Sequence, residues 1–208
     1  MSAASPRPVD RPLTVKRTRW LHHFQAWSPK LGRRVSLYSR ANVAVWLLIE
    51  ASPEIEHFCE RPGHVLVDGK RVLADFRIQR ARQIEYFLLS EGSRLSLLDD
   101  PGGLMDPCPI RNVTPNWIQG QAQLVANWTR MLPVITTGMA LVQDAFLDEV
   151  RDRIQHTDRL VDIERRHLPH DPILTRAAVF ELTRRGRLVA EELQSKALSG
   201  ATRFAKAD

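Results

Sequence analysis

The sequence predicts an α/β protein in two parts, a mixed helix-and-strand unit followed by a small helical unit closed by a basic hairpin. Three observations lead there. A helical apolar repeat, "SRANVAVWLLI", is followed directly by short β-branched runs with turn residues between them. Within "HVLVDGKRVLADF", Asp68-Gly69 stands between two such runs, the strongest short-range hairpin signal. From about residue 140 the apolar spacing becomes helical again and holds through three short helices.

Each element has a local reason. Residues 1–14 are rich in Pro, Ser and Ala and are expected to be disordered. Ser39 is the expected N-cap of the first helix, and "ASPE" ends it, because the residue before a proline is pushed out of the α region. "EIEHFCERP", the Asp68-Gly69 hairpin and "ADFRIQRARQIEYFLLS" then form a meander of about three strands. "DDPGGLMDPCP" is a loop, "IRNVT" one more strand, and Thr114-Pro115 caps and opens a helix to about Met131. In "LVQDAFLDEVRDRI", Val142, Phe146, Val150 and Ile154 recur every four residues on one apolar face. "DRLVDIERRHL" is a short helix. Asp171 caps the next helix, with Ile173, Ala177 and Phe180 inward, Arg176, Thr183 and Arg184 outward, and Gly186 as C-cap. "RLVAEEL" and "GATRFAKA" read as two strands. Three helices and a basic hairpin outline a winged helix, a relative of the helix-turn-helix. The expected domains are a basic, partly disordered segment over 1–30, the mixed domain over 31–135 and the winged-helix-like domain over 140–208.

Charge points to a partner class. The net charge is +6, and residues 1–45 carry nine Lys or Arg against one acid, Asp10, with Trp20, Trp27, His22 and His23 interleaved. Such a segment suits a phosphate backbone, since each cation meeting a phosphate releases counterions. Arg33, Arg34 and Arg40 there, with Arg176, Arg184, Arg185 and Arg187 near the C-terminal hairpin, are the expected DNA contacts. No apolar run approaches bilayer length and no signal-peptide stretch is visible, so a cytoplasmic protein is expected. Two cysteines, Cys59 and Cys108, imply no disulfide framework. His57, Cys59 and His64 are too few and too widely spaced for structural zinc.

The run "GRRVSLYSRANVAVWLLIEASPEIEHFCERPGHVLVDGKRVLADF" resembles the nuclease domain of TnsA-like subunits of heteromeric transposases. The family pattern is Ser-x-x-Glu on the first helix, then Pro-Asp-Phe, then Glu or Gln-x-Lys. Its counterparts here are Ser39 to Asn42, Ala74-Asp75-Phe76 and Glu85-Tyr86-Phe87, and the likeness extends over roughly residues 30 to 205. The resemblance implies a restriction-endonuclease-like core of the PD-(D/E)xK type in which Mg²⁺, held by Asp75 and Glu85, helps cut the 5′ ends of a transposon. It also implies double-stranded transposon-end DNA, an integrase-type transposase and an AAA ATPase regulator as partners, in a bacterial cytoplasm.

The departures from that pattern bear on activity. Mg²⁺ takes one or two carboxylates plus water and phosphate oxygens. Asn42 offers a carbonyl oxygen without negative charge where the family has an acid. Phe87, at the lysine position, can neither move a proton nor stabilise charge. Loss of a positioned proton-transfer group costs about 10²- to 10⁴-fold in rate. The expectation is therefore a degenerate site with Asp75 and Glu85 as its surviving catalytic and metal-binding acids. The alternative is an active endonuclease in which Glu50, Glu54 or Glu60 replaces the acid and Lys70, Arg77 or Arg82 the lysine. A third reading is a winged-helix DNA-binding regulator.

Overall fold

The computed structural model of the chain describes residues 11–16, 22–89, 104–168 and 170–207. The protein is α/β, and two compact units are distinct: residues 1–45 with 55–118, and residues 46–54 with 119–208. No described helix is long and apolar enough to cross a membrane.

The first unit opens with an element where the sequence predicts a basic, partly disordered segment over 1–30 and no strand. Strands β1 (Phe24–Ser28) and β2 (Arg33–Leu37) form an antiparallel hairpin. Alternation drives it: Ser28, Val35 and Leu37 are buried on one face, while Trp27 and Arg34 lie opposite each other on the other. Gly32, at φ +60, supplies the left-handed turn residue. Residues 11–14, expected to be disordered, include Leu13, which is fully buried and donates its N–H to the Arg61 carbonyl at 2.9 Å. The same expectation for residues 1–10 lies outside the described residues.

Helix α1 (Arg40–Ala51) begins where expected, with the Ser39 hydroxyl accepting the Asn42 N–H at 3.0 Å. Strands β3 (His57–Glu60), β4 (His64–Val67), β5 (Lys70–Leu73), β6 (Phe76–Arg80), β7 (Gln83–Leu89) and β8 (Ile110–Val113) follow. Both Asp68 (φ +47) and Gly69 (φ +76) are left-handed, as a type I′ turn between β4 and β5 requires. The main sheet has the order β3-β6-β7-β8, with β8 parallel to β7 and the other neighbours antiparallel. Phe58, Phe76, Ile78 and Phe87 are buried in it. The loop expected over 94–109 lies outside the described residues up to 103.

Thr114 caps α2 (Pro115–Gly120) by accepting the Trp117 N–H at 3.2 Å. The chain bends at Gln121 and continues as α3 (Ala122–Gly138), well past the expected end near Met131. Pro133 does not stop it, because Pro133 and Thr129 both lie on its exposed face, where water can take up the carbonyl that loses its donor. Helix α3 belongs wholly to the second unit, so the division falls near residue 118 rather than 135.

The second unit continues with α4 (Asp144–Arg153), β9 (Thr157–Arg159), α5 (Leu160–Arg166), α6 (Pro172–Arg184), β10 (Leu188–Val189) and β11 (Arg203–Lys206). A three-stranded sheet has the order β10-β11-β9. "RLVAEEL" is strand for two residues only, since Glu191–Gln194 winds into a 3-10 turn. On α4 the buried positions are Leu147, Val150 and, just beyond its end, Ile154, with Phe146 only partly covered. Asp171 caps α6 as expected, accepting the Ile173 N–H at 2.8 Å, but Ile173 itself is 61% exposed. Ala177 and Phe180 are buried as expected, and Thr183, expected outside, is buried with its hydroxyl on the Val179 carbonyl at 2.8 Å. Gly138 lets α3 and α6 meet closely: a Cβ there would lie 2.6 Å from Ala177 Cβ.

One amide ties the long segment between β10 and β11 to α3. The Asn127 Nδ2 donates to the carbonyls of Leu193 and Lys196, both at 2.8 Å, and its Oδ1 accepts the Leu198 N–H at 2.8 Å. Asn127 is 1% exposed, so water cannot replace these bonds. Asn127→Leu is expected to cost roughly 2–4 kcal/mol by stranding buried backbone groups. Chemical denaturation of both proteins measures this.

Candidate functional site

Asp75 sits at an irregularity in the sheet. Ala74 packs with Val65, Tyr86 and Leu88, whereas Phe76 pairs with Phe87 on the opposite side of β7. The alternation therefore breaks at Asp75, as it does where a bulge enters a ladder. Its backbone N–H still reaches the Phe87 carbonyl at 3.0 Å, and its carbonyl accepts from Arg61 N–H at 2.8 Å.

The carboxylate is buried, 7% exposed, and both oxygens accept hydrogen bonds. Asn42 Nδ2 donates to Oδ1 at 3.0 Å, and the Leu89 backbone N–H donates to Oδ2 at 2.8 Å. Asn42, 6% exposed, is held in that orientation because Ser39 Oγ–H donates to its Oδ1 at 3.0 Å. The expected meeting of positions 42 and 75 is therefore present, with the amide as donor to the acid.

Glu85 does not join them. It pairs in register with Ile78, three residues beyond Asp75, a rise of about 10 Å along the strand. Its carboxylate forms an ion pair with Arg80 at the far end of the β6–β7 hairpin. Phe87 is buried against Phe76 in the ladder. The expected convergence of Asp75 and Glu85 is corrected accordingly.

The stand-in residues fare likewise. Glu60 is buried and receives both guanidinium nitrogens of Arg33, at 2.8 and 2.7 Å. Glu50 and Glu54 belong to the other unit. Lys70 and Arg82 are exposed, and Arg77 is buried on β6 opposite Tyr86. A cation that the sequence reading missed does approach: Arg111 of β8 lies over the Phe87 ring at 5.6 Å and the Trp117 ring at 5.0 Å. Parallel pairing of Phe87 with Arg111 puts it there, and no local signal in the sequence sets that register.

These residues do not fit a bound Mg²⁺. Each carboxylate oxygen of Asp75 already accepts a hydrogen bond, and the group facing one of them is a donor NH₂ rather than a second oxygen ligand. Among the described residues no three His, Cys, Asp or Glu side chains are grouped to hold a metal ion, His57, Cys59 and His64 included.

Most of the arginines expected at DNA are engaged internally. Arg176 binds Glu164 at 2.7 Å, Arg184 and Arg185 both bind the buried Glu181, at 2.7 and 2.6 Å, and Arg187 binds Asp148 at 2.5 Å. Arg185 also reaches Asp144 at 2.9 Å, tying the end of α6 to the start of α4. Burial alone would raise the Glu181 carboxyl, but the bonds from Arg184 and Arg185 outweigh it and hold its pKa below the ordinary value. Arg34 and Arg40 are exposed.

No protein-family model matches the sequence, and no curated protein matches it.

Two outcomes follow from this chemistry. Asn42→Asp puts a like charge where a donor stood, so stability in a chelator should fall by roughly 1–3 kcal/mol. Mn²⁺ should restore part of that loss in thermal melts and leave the wild type unchanged. Glu181, with its depressed pKa, stabilises the fold above its unfolded value of 4.5, and this contribution is lost as pH falls through the lower folded value. Glu181→Gln should therefore cost about 2–3 kcal/mol at neutral pH and weaken the stability loss below pH 4.5, read by acid titration of circular dichroism.

Proposed function

We propose that the chain is a TnsA-like subunit of a DNA transposition machinery, one that binds transposon-end DNA and an integrase-type partner transposase without cutting DNA itself. An AAA ATPase regulator is the further partner that this reading implies. The observation that carries it is the Asn42–Asp75 hydrogen bond at 3.0 Å, an amide facing the acid at the place where the resemblance expects a second carboxylate. The order of helix α1, the antiparallel β3-β6-β7 ladder and the parallel strand β8 is what a restriction-endonuclease-like core would have.

The C-terminal unit supports a winged-helix reading of its topology: helix, strand, two helices and two strands, with β11 central in the sheet. Its use as a groove reader has less support. Residues 177–183 of α6 are all buried, and seven consecutive helical positions cover every direction around the axis. A helix enclosed in this way serves as a core element rather than one lying in a major groove.

The full chain incubated with supercoiled plasmid and Mg²⁺ or Mn²⁺ should bind it and leave it intact. Nicking that disappears in Asp75→Ala would establish the active-endonuclease alternative instead.

A further inference from the structure

The hairpin β1–β2 has two unlike faces. Inward, Ser28, Val35 and Leu37 are buried, and Arg33 is clamped on Glu60. Outward, the cross-strand pairs are Gln25 with Ser36 and Trp27 with Arg34. One step beyond the last ladder pair, the rings of His23 and Tyr38 stack, with centroids 4.9 Å apart and planes 8° from parallel. An aromatic group thus stands at each end of the outward face, with the uncharged polar side chains of Gln25 and Ser36 between them.

Trp27 is 43% exposed although it lies in a regular strand, and Arg34 beside it is exposed too. Residues 24–40 contain Lys30, Arg33, Arg34 and Arg40 and no acid. The platform is also held firmly. Leu31 N–H binds Ser28 Oγ at 3.2 Å, Gly32 N–H binds the Ser28 carbonyl at 2.9 Å, and Lys30 Nζ binds the Ile55 carbonyl at 2.7 Å. With its inner face packed and its turn tied down, the hairpin loses little further freedom on binding.

We propose that this outward face is a stacking platform for single-stranded DNA, with one base on the Trp27 indole, the adjoining phosphate on Arg34, and a second base position at His23 and Tyr38. The two positions lie about 13 Å apart along the strand. Exposed aromatics beside cations recognise unpaired strands because every base offers a π-face and every nucleotide a charge. A duplex offers the charge but not the π-face, since its bases are stacked on one another and exposing one costs a few kcal/mol. A hairpin whose own sequence carries cations and no acid also matches a polyanion better than a protein partner of mixed charge. The assignment rests on the DNA-binding part of the proposed function and adds the strand form and the surface.

Fluorescence anisotropy with a labelled oligothymidylate and a labelled mixed-sequence duplex tests it on the full chain. Trp27→Ala should weaken oligothymidylate binding roughly 5- to 100-fold, and Trp27→Phe should keep most of it. Arg34→Ala should reduce the salt dependence of that binding. Both side chains are exposed, so melting temperatures should stay near the wild-type value, and Trp27→Ala should change duplex affinity less than about twofold. Oligothymidylate binding left within about twofold by Trp27→Ala overturns the platform. So does a wild type that binds duplex and ignores oligothymidylate, an outcome that leaves the proposed function standing. A wild type that binds neither DNA defeats both readings.

Discussion

The Asp75 carboxylate is the constraint around which the first unit is arranged. A buried carboxylate persists only when its oxygens are satisfied, and here α1 supplies one donor through Asn42 and β7 supplies the other through Leu89. The same residue accepts from Arg61 and donates to Phe87 through its backbone. The side chain and the two flanking peptide units of one residue therefore bind a helix, a loop after β3 and the central strand together. The jog between Ala74 and Phe76 goes with it: the register that pairs Phe76 with Phe87 would set Ala74 opposite Leu89, and the Asp75 side chain takes up the Leu89 N–H instead. Phe87 opposite Phe76 is then consistent packing, an apolar pair beside an acid whose two oxygens each accept a hydrogen bond.

Charge divides along similar lines. In the second unit the arginines of α6 and its flank are turned onto Glu164, Glu181, Asp148 and Asp144, so their charge holds helices to one another. In the first unit Arg34 and Arg40 are exposed, and Trp27 stands beside Arg34. Of the hairpin's arginines, Arg33 is thus held on Glu60 while Arg34 stands exposed. Arg61 shows the opposite extreme: burial lowers its pKa from the ordinary value, while its guanidinium binds the carbonyls of Leu13 and Ser36 and lies 4.9 Å from the Tyr38 ring centre.

Local chemistry was legible where one residue type settles the backbone. Ser39 and Asp171 as caps, Asp68-Gly69 as a hairpin turn and Gly186 at φ +70 all act through their immediate neighbours. The β1–β2 hairpin is not evident from sequence, although "FQAWS" and "RRVSL" flank a glycine, because the density of cations points to a phosphate-binding segment before it points to strands. Helix α3 outran Pro133 because exposure of that face depends on tertiary packing. In the candidate site, the pairing of Asn42 with Asp75 came through from the motif order, while Glu85 lies about 10 Å further along the strand. Register decides such placements, and the bulge at Asp75 shifts it without any sequence mark.

Paramagnetic broadening by Mn²⁺ in amide NMR spectra of the wild-type chain tests the structural role of Asp75 most directly. If its oxygens are committed to Asn42 and Leu89, the amides of Asn42, Asp75 and Leu89 will show no selective loss of intensity at submillimolar Mn²⁺. Selective broadening of those three signals, absent in Asp75→Asn, would mean that the carboxylate is open to a cation and would contradict the account.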